Sequence, residues 1–341
     1  MRHNQRFGFA VFILVCQLAS AADKVSIADL PKHAIEQSQI TLPGSRPFHL
    51  KARVVEATNP DNDNYKAEIE EYWTAPDRWR RTVKTSDFSQ TLVMHGEKVS
   101  ETLSGTYYPR WTRTMVNAIF DPGAALQKLD MSKSPDNPMI GGTEFCRRFA
   151  FRAGIPPIGN NVFSTFCFEG NLIKSVGMPG YEAEYKNYKK FTNKQVARQV
   201  REYIESGTEL EATVYELSEL LTPNDSLFDI AQPSSQLQTV IVDEQTVRGL
   251  SQDTPALKWP PIQGGKTTGM LSIYVCIDRE GRVREIYGLN SDHPMMSDAA
   301  HEQVMNWRFK PASIGGVPVQ IESILTFAYE TKIATASEGG K

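Results

Sequence analysis

The sequence predicts an α+β protein with two successive β-rich regions, a large curved antiparallel sheet with helices and then a small β-β-α-β unit. From Phe48 onward, runs such as FHLKARVV and DRWRRTVK alternate apolar and polar residues between short turns, as expected for an antiparallel meander. A helix is expected over 112–129, broken near Pro122-Gly123. A stretch rich in Pro, Ser, Asn and Gln at 221–238 separates the two regions. The expected boundaries are 1–21 signal peptide, 22–44 lead-in, 45–220 first domain, 221–254 linker, 255–333 second domain and 334–341 tail.

The composition is that of a globular protein. The chain has 341 residues, of which 40% are hydrophobic and 23% charged, and this is enough material for a sizeable core. The net charge of -3 lacks the basic footprint that nucleic-acid binding generally needs. We therefore expect no nucleic-acid partner.

The N-terminus has the pattern of a secretory signal peptide. Arg2 and Arg6 precede the apolar run FGFAVFILVCQLA, and the small-residue tripeptide ASA ends at Ala21. The apolar run is short for a membrane span, which needs about 20 residues. We expect export to the periplasm or cell envelope with cleavage after Ala21, and a retained anchor is the alternative.

Three cysteines follow the predicted cleavage site. Cys146 and Cys167 flank a loop rich in Gly, Pro and Asn, which predicts a hairpin. If Phe151 faces Val162 across this loop, the two cysteines fall directly opposite each other on adjacent strands. Because exported proteins form disulfides, this register predicts a Cys146–Cys167 bond, with two free thiols as the alternative. Cys276 is then left unpaired.

One predicted strand pair resembles the LolA-like periplasmic lipoprotein carriers and related sensor domains. APDRWRR at 75–81 is followed after a strand by MHGEKV at 94–99, where that family has PDRWR and then DGxxV; His95 replaces the usual acidic residue. The resemblance implies a half-barrel that carries a lipid, a lipoprotein or another hydrophobic ligand on its concave face. The candidate groove residues are Phe48, Leu50, Trp79 and Leu92. The alternative is a core that helices fill.

The second region begins near Pro255. GMLSIYVCID and RVREIYG flank the turn DREG and predict a hairpin, and Ser297 suits a helix N-cap. An apolar stripe at helical spacing comprises Met296, Ala300, Val304 and Trp307. In the WRFKP segment that follows, we expect Trp307 to pack the stripe on the sheet, Phe309 to anchor the crossover and Pro311 to end the helix. A final strand then alternates apolar and polar residues.

This second region resembles the TonB C-terminal domain. The matching segments are WPP at 259–261, GMLSIYVCIDREGRV at 269–283, SDAAHEQVMNWRFKPA at 297–312 and GGVPVQI at 315–321. The resemblance implies that the last strand receives an extended segment of an outer-membrane or other envelope protein by β-strand addition. The candidate edge residues are Val317, Val319, Gln320, Ile321, Glu322, Ser323 and Ile324. Alternatively the edge is only protected, or it pairs with a second copy in a homodimer.

The chain also departs from a TonB energy transducer, which has a membrane-anchoring helix and a long Pro-rich spacer. The linker here is short and lacks Pro-Lys or Pro-Glu repeats, so we expect an adaptor rather than a protein that transmits force.

The sequence contains no recognisable catalytic or metal-binding motif. The six histidines lack the spacing of HExxH, and no GxSxG occurs. GGKTT at 264–268 fails the phosphate-loop pattern because Pro260 stands where its first glycine would be. We therefore expect no catalysis, no metal and no cofactor. Three hypotheses are left: a partner-binding module, a carrier of hydrophobic ligands, and a hydrolase with an unrecognised site.

Overall fold

The structure is a computed structural model that describes residues 29–123, 129–130, 139–141, 144–151, 163–178, 181–204, 207–230, 239–263 and 267–333. Within these residues the chain forms a large antiparallel sheet and a smaller mixed sheet, with helices packed against both. The predicted α+β class is therefore confirmed. The predicted signal peptide lies outside the described residues.

The large sheet has thirteen strands within the described part of the chain. They are β1 (Phe48–Glu56), β2 (Ala67–Ala75), β3 (Arg78–Lys84), β4 (Ser89–His95), β5 (Lys98–Ser104), β6 (Leu129–Asp130), β7 (Met139–Gly141), β8 (Glu144–Phe151), β9 (Phe163–Glu169), β10 (Leu172–Met178), β11 (Tyr181–Phe191), β12 (Lys194–Ile204) and β13 (Thr208–Glu219). The main order is β5-β4-β3-β2-β1-β13-β12-β11-β10-β9-β8-β6, and β7 also pairs with β8. Because β1 pairs with both β2 and β13, the sheet consists of two meanders joined at its first and last strands.

Strands β8 and β9 form the predicted cysteine hairpin. Cys146 stands directly opposite Cys167, and Ala150 stands opposite Phe163, which is the register expected from the sequence. The two sulfurs form a disulfide bond, so this prediction is confirmed. Cys276 is a buried free thiol, also as expected.

Two helices share one core with the apolar face of the large sheet. They are α1 (Leu30–Ser38) and α2 (Arg110–Phe120). In α2, Met115 and Phe120 are buried, and Phe120 stacks on Phe48 with 6.5 Å between the ring centroids. The helix predicted over 112–129 therefore starts two residues early and ends at Phe120, before the proline. Residues 124–128 of the predicted range lie outside the described part of the chain, and Leu129 begins strand β6.

Part of the predicted linker packs on the large sheet. A short 3-10 helix, Asp225–Phe228, contacts β3 and β4. Phe228 is fully buried there, beneath the Arg78 guanidinium, and Arg78 also forms an ion pair with Asp225. The chain that leaves β13 is thus held against the sheet before it enters the second region.

The small sheet has the order β14-β20-β16-β17, and β19 also pairs with β20. The elements of this region are β14 (Thr239–Ile241), α3 (Glu244–Gly249), β15 (Ser251–Asp253), β16 (Thr268–Ile277), β17 (Val283–Ser291), α4 (Pro294–Val304), β18 (Arg308–Phe309), β19 (Ala312–Ile314) and β20 (Val317–Glu330). β16, β17, α4 and β20 form the predicted β-β-α-β unit, while β15 and β18 form a separate antiparallel pair.

Helix α4 begins earlier than the sequence suggested. Its first residue is Pro294 and its N-cap is His293, so the predicted N-cap, Ser297, lies inside the helix. Proline favours the first helical position because its fixed φ is helical and its missing N–H would have had no partner there. The predicted apolar stripe is confirmed, since all four of its members are buried.

The WRFKP segment connects α4 to the last strands. Trp307 contacts Phe309 and Phe327, with ring centroids 6.3 and 5.8 Å apart. Phe309 donates its N–H to the carbonyl oxygen of Gly281, and a Cβ at Gly281 would lie 1.9 Å from the Phe309 oxygen. The crossover therefore passes so close to the β16–β17 turn that this turn requires glycine. Because α4 already ends before Trp307, Pro311 does not terminate the helix, contrary to our expectation.

Replacing both Cys146 and Cys167 with serine should lower the free energy of unfolding. The bond closes a loop of 21 residues, and the loss of that constraint corresponds to about 3 kcal/mol. Urea unfolding with and without reductant would measure the change, and Cys276→Ala is the control that removes only the free thiol. An unfolding midpoint of the unaltered protein that does not respond to reductant would contradict this prediction.

Candidate functional site

The two sides of strand β20 differ in how completely their backbone groups are paired. On one side it pairs with β16 without interruption, from Ile321 opposite Ile277 to Glu330 opposite Thr268. We call its other side the outer edge; the predicted partner-binding residues, from Val317 to Ile324, lie along this strand.

Two short strands of the same chain pair with the first half of β20. β19 pairs antiparallel with Val317–Val319, through the tight turn between the two strands. β14 then pairs in parallel with Gln320–Glu322, and the N–H of Val242 donates to the carbonyl oxygen of Glu322 at 2.9 Å. Five of the seven predicted edge residues therefore pair with short strands of the same chain, and for Gln320, Ile321 and Glu322 this pairing lies on the outer edge.

Beyond Glu322, side chains rather than a strand contact the outer edge in the described part of the chain. The backbone N–H of Thr326 donates to Glu244 Oε1 at 3.1 Å. Arg248 Nη2 donates to the carbonyl oxygen of Thr326 at 2.9 Å, and Ser323 Oγ donates to the carbonyl oxygen of Val242 at 2.9 Å. A carboxylate and a guanidinium from α3 thus make the two hydrogen bonds to Thr326 that a neighbouring strand would otherwise make.

The side chains of Gln320 and Glu322 fix β20 to Tyr108 and to α2, which pack on the large sheet. The Gln320 amide accepts from the N–H of Tyr108 at 3.0 Å and donates to the carbonyl oxygen of the same residue at 3.2 Å. Glu322 forms an ion pair with Arg113 of α2 and accepts from the hydroxyl of Tyr274. The strand that presents the outer edge is therefore attached to both regions of the protein.

A second, partly buried carboxylate strengthens this junction. Glu285 Oε1 accepts from the Tyr107 hydroxyl at 2.7 Å and from the N–H of Arg110 at 2.8 Å, and Glu285 also accepts from the Tyr287 hydroxyl. Burial raises the pKa of both tyrosines well above the ordinary value, so both hydroxyls keep their protons and donate. We call Arg110, Arg113, Glu285 and Glu322 the junction cluster.

Both junction arginines carry a charge. Burial opposes ionisation of Arg113, but the Glu322 carboxylate more than offsets it, so the pKa of Arg113 lies above its ordinary value. The Arg110 guanidinium lies over the rings of Tyr274 and Tyr287, at 5.1 and 4.5 Å from their centroids. The cluster thus joins the Arg113–Glu322 ion pair to the Glu285 carboxylate, which accepts the Arg110 backbone N–H, between α2 and the small sheet.

The sequence did not predict this junction, although one pattern pointed to it. In β16, Tyr274 and Cys276 lie on the face opposite the predicted apolar one, and both are largely apolar. A strand that is apolar on both faces is expected to be buried on both. Cys276 and Tyr287 do belong to the core of the large sheet.

The predicted groove residues lie on the apolar face of the large sheet, but two of them are closed to solvent. Phe48 and Leu50 are fully buried in the core shared with the helices, while Trp79 and Leu92 keep partial exposure. For Phe48 and Leu50, the structure therefore agrees with the alternative to a ligand groove, a core that helices fill. A lipid or lipoprotein ligand at this face stays a prediction, and it would require α2 to move; a co-purifying lipid mass in native mass spectrometry would detect it.

The geometry therefore defines a β-β-α-β domain with one long strand whose outer side is only partly paired. Residues 265–331 match the family model of the Gram-negative bacterial TonB protein C-terminal, which confirms the predicted resemblance. That family is one of envelope binding domains, not of enzymes. The match concerns residues 265–331 alone, and it leaves the partner open.

Two solved structures are partly similar to this chain. A LolA superfamily protein from Nitrosomonas europaea is 11% identical, and the similarity covers 60% of this chain and 98% of that chain with a TM-score of 0.40. A DUF1329 family protein from Desulfovibrio piger is 10% identical, with 59% and 95% covered and a TM-score of 0.34. The predicted LolA likeness is thus found, at a distance that assigns no function. No curated protein matched the chain.

The described residues contain neither a metal-binding cluster nor a membrane-spanning helix. Among them, no group of three or more His, Cys, Asp or Glu side chains is arranged to hold a metal ion. None of the described helices has the length and apolar character needed to cross a membrane.

A buried acid beneath α2 predicts a pH dependence of stability. Glu202 of β12 accepts a hydrogen bond from Thr114, while its Oε2 has no partner among the described residues, and burial raises its pKa to about 8. From about pH 4.5 to 8 the unfolded chain is ionised at this position while the folded chain keeps the proton. Stability should therefore fall as the pH rises through this window, by at most about 1.4 kcal/mol per pH unit.

The variant Glu202→Gln should remove this decline, because a neutral amide does not titrate. Urea unfolding at pH 5, 6.5 and 8 would compare the slopes, with the exposed Glu182→Gln as the matched control. Equal slopes in Glu202→Gln and the unaltered protein would show that Glu202 is not the group responsible.

Proposed function

We propose that this chain is a non-catalytic binding protein of the Gram-negative cell envelope, in which the outer edge of β20 receives an extended segment of a partner by β-strand addition. The partner is an outer-membrane or other envelope protein. Export through the signal peptide predicted at 1–21 would bring the protein to the periplasm. The match of 265–331 to the C-terminal domain of TonB proteins supports this proposal.

The observation that carries the proposal is the unequal pairing of the two sides of β20. The strand has 14 residues, and β16 pairs with every residue from Ile321 to its end. On the outer edge, the described part of the chain supplies one short strand, β14, which pairs with Gln320–Glu322. A long strand with an incompletely paired outer side, held rigidly by its sheet, is what β-strand addition requires.

The backbone groups available to a partner follow from strand geometry. Alternate residues of a strand direct their N–H and C=O groups to the same side. Glu322 and Thr326 direct theirs to the outer edge, so Ile324 and Ala328 direct theirs there too. An added strand would bond to these groups and take its affinity mainly from the backbone.

A proline at position 324 should weaken partner binding without breaking the sheet. Ile324→Pro removes an N–H that faces the outer edge and leaves the ladder to β16 intact. The loss of one backbone hydrogen bond predicts a roughly two- to tenfold weaker interaction. In the envelope of the host, a photo-crosslinking amino acid at the exposed position 328 should form an adduct with the partner, and Ile324→Pro should reduce its yield.

The matched control places the same crosslinker at Glu280, an exposed residue in the turn between β16 and β17. Adducts of equal yield from positions 280 and 328, or an adduct at 328 that is insensitive to Ile324→Pro, would contradict β-strand addition at this edge.

A further inference from the structure

We propose that residues Thr239–Gly249 form an intramolecular competitor for the outer edge of β20, which a partner segment must displace before it can bind. We call these residues the cis segment. The inference rests on the proposed function, since it assumes that the edge accepts a partner strand. It adds a regulation of that site and the chemical character of the segment that fits it.

The cis segment already occupies the edge in the manner of a bound strand. Thr239, Val240 and Ile241 stand opposite Gln320–Glu322 in parallel register. Val240 and Val242 pack against the core of the small sheet, whereas Ile241 is 71% exposed. This arrangement specifies a partner of matching chemistry, an extended segment parallel to β20 with apolar, β-branched residues at alternate positions.

The rest of the cis segment covers the edge with side chains. Asp243 caps α3 by accepting from the N–H of Thr246 at 2.7 Å, and the cap places Glu244 and Arg248 one helical turn apart. These two side chains form an ion pair and also bind the N–H and C=O groups of Thr326. An incoming strand that passed Glu322 would have to replace both of these bonds.

The cis segment is held weakly enough to leave. β14 is only three residues long, and Val247 is the one fully buried residue of the segment. The chain directly after it is better anchored, since the carbonyl oxygen of Leu250 accepts from Lys310 at 2.7 Å and Ser251–Asp253 pairs with β18. Release would therefore stop near Gly249 and leave the remainder of the small domain in place.

Competition within the chain lowers the apparent affinity for a partner. If the cis segment occupied the edge in 99 of 100 molecules, the apparent affinity would be about a hundredfold weaker than that of the open edge. Variants that release the segment should therefore bind a partner segment more tightly, although they lack no part of β20.

The test uses the full mature protein and a fluorescent peptide with the sequence TVIVDE, that of residues 239–244. Val242→Pro removes the N–H that donates to Glu322, and a second variant combines Glu244→Ala with Arg248→Ala. Ile241→Pro is the matched control, because in this register the N–H of residue 241 points away from β20. A peptide with aspartate in place of both apolar inward residues controls for the side-chain pattern.

We expect both releasing variants to bind the peptide at least about tenfold more tightly than the unaltered protein in fluorescence anisotropy, with Ile241→Pro unchanged. The aspartate peptide should not bind. Hydrogen exchange of the unaltered protein at saturating peptide should become faster within residues 239–249. Thermal unfolding would verify that each variant is folded, and the double alanine variant changes only partly exposed side chains.

Other outcomes would overturn the proposal in distinguishable ways. Equal peptide affinity in all proteins would exclude competition by the cis segment but leave β-strand addition intact. No binding to any protein, including both releasing variants, would mean that the edge accepts no such segment and would contradict the proposed function as well. A dimer of the unaltered protein that replaces peptide binding would identify a second copy, not a separate partner, as the occupant.

Discussion

The relative placement of the two sheets depends on charge pairing inside the junction cluster. Glu322 of β20 pairs with Arg113 of α2, and Glu285 of β17 binds the first turn of the same helix. Removing one member of such a buried pair leaves an uncompensated charge, at a cost of about 3–5 kcal/mol. Since α2 also packs on the apolar face of the large sheet, it contacts both sheets. A displacement of α2 would therefore break the junction and at the same time expose the apolar face of the large sheet.

This constraint has a consequence for the outer edge of β20. Gln320 and Glu322 use their side chains to hold the large sheet and their backbone groups to pair with β14. The same two residues therefore fix the position of the outer edge with their side chains and form part of that edge with their backbone groups. A partner strand would bind to a strand whose backbone is already ordered. Little conformational entropy of this protein would therefore be lost on binding.

Local pattern predicted the elements, and long-range polar contacts determined what they do together. Alternation and turn residues were sufficient for β1–β5, for the register of Cys146 with Cys167 and for the β-β-α-β unit. The covering of β20 was not predicted, because TVIV follows a polar, Pro-rich stretch and was assigned to the linker. The partners of Arg110 and Arg113 lie more than 170 residues away, and no periodicity relates them. Phe48 and Leu50 were correctly placed on the inner face, but their period does not reveal that α2 covers them.

An uncovered strand of 14 residues would pair readily with other exposed edges, whereas a full-length covering strand would close the site. The cis segment is intermediate between these cases, since three residues pair as a strand and two side chains bind one further residue. A partner that replaces β14 would exchange backbone bonds one for one and gain little there. The net gain must come from the stretch beyond Glu322, where Ile324 and Ala328 face the edge and no strand of the described chain pairs with them. A partner segment that stops at Glu322 should therefore compete poorly with the cis segment, and one that continues along Ile324–Ala328 should displace it.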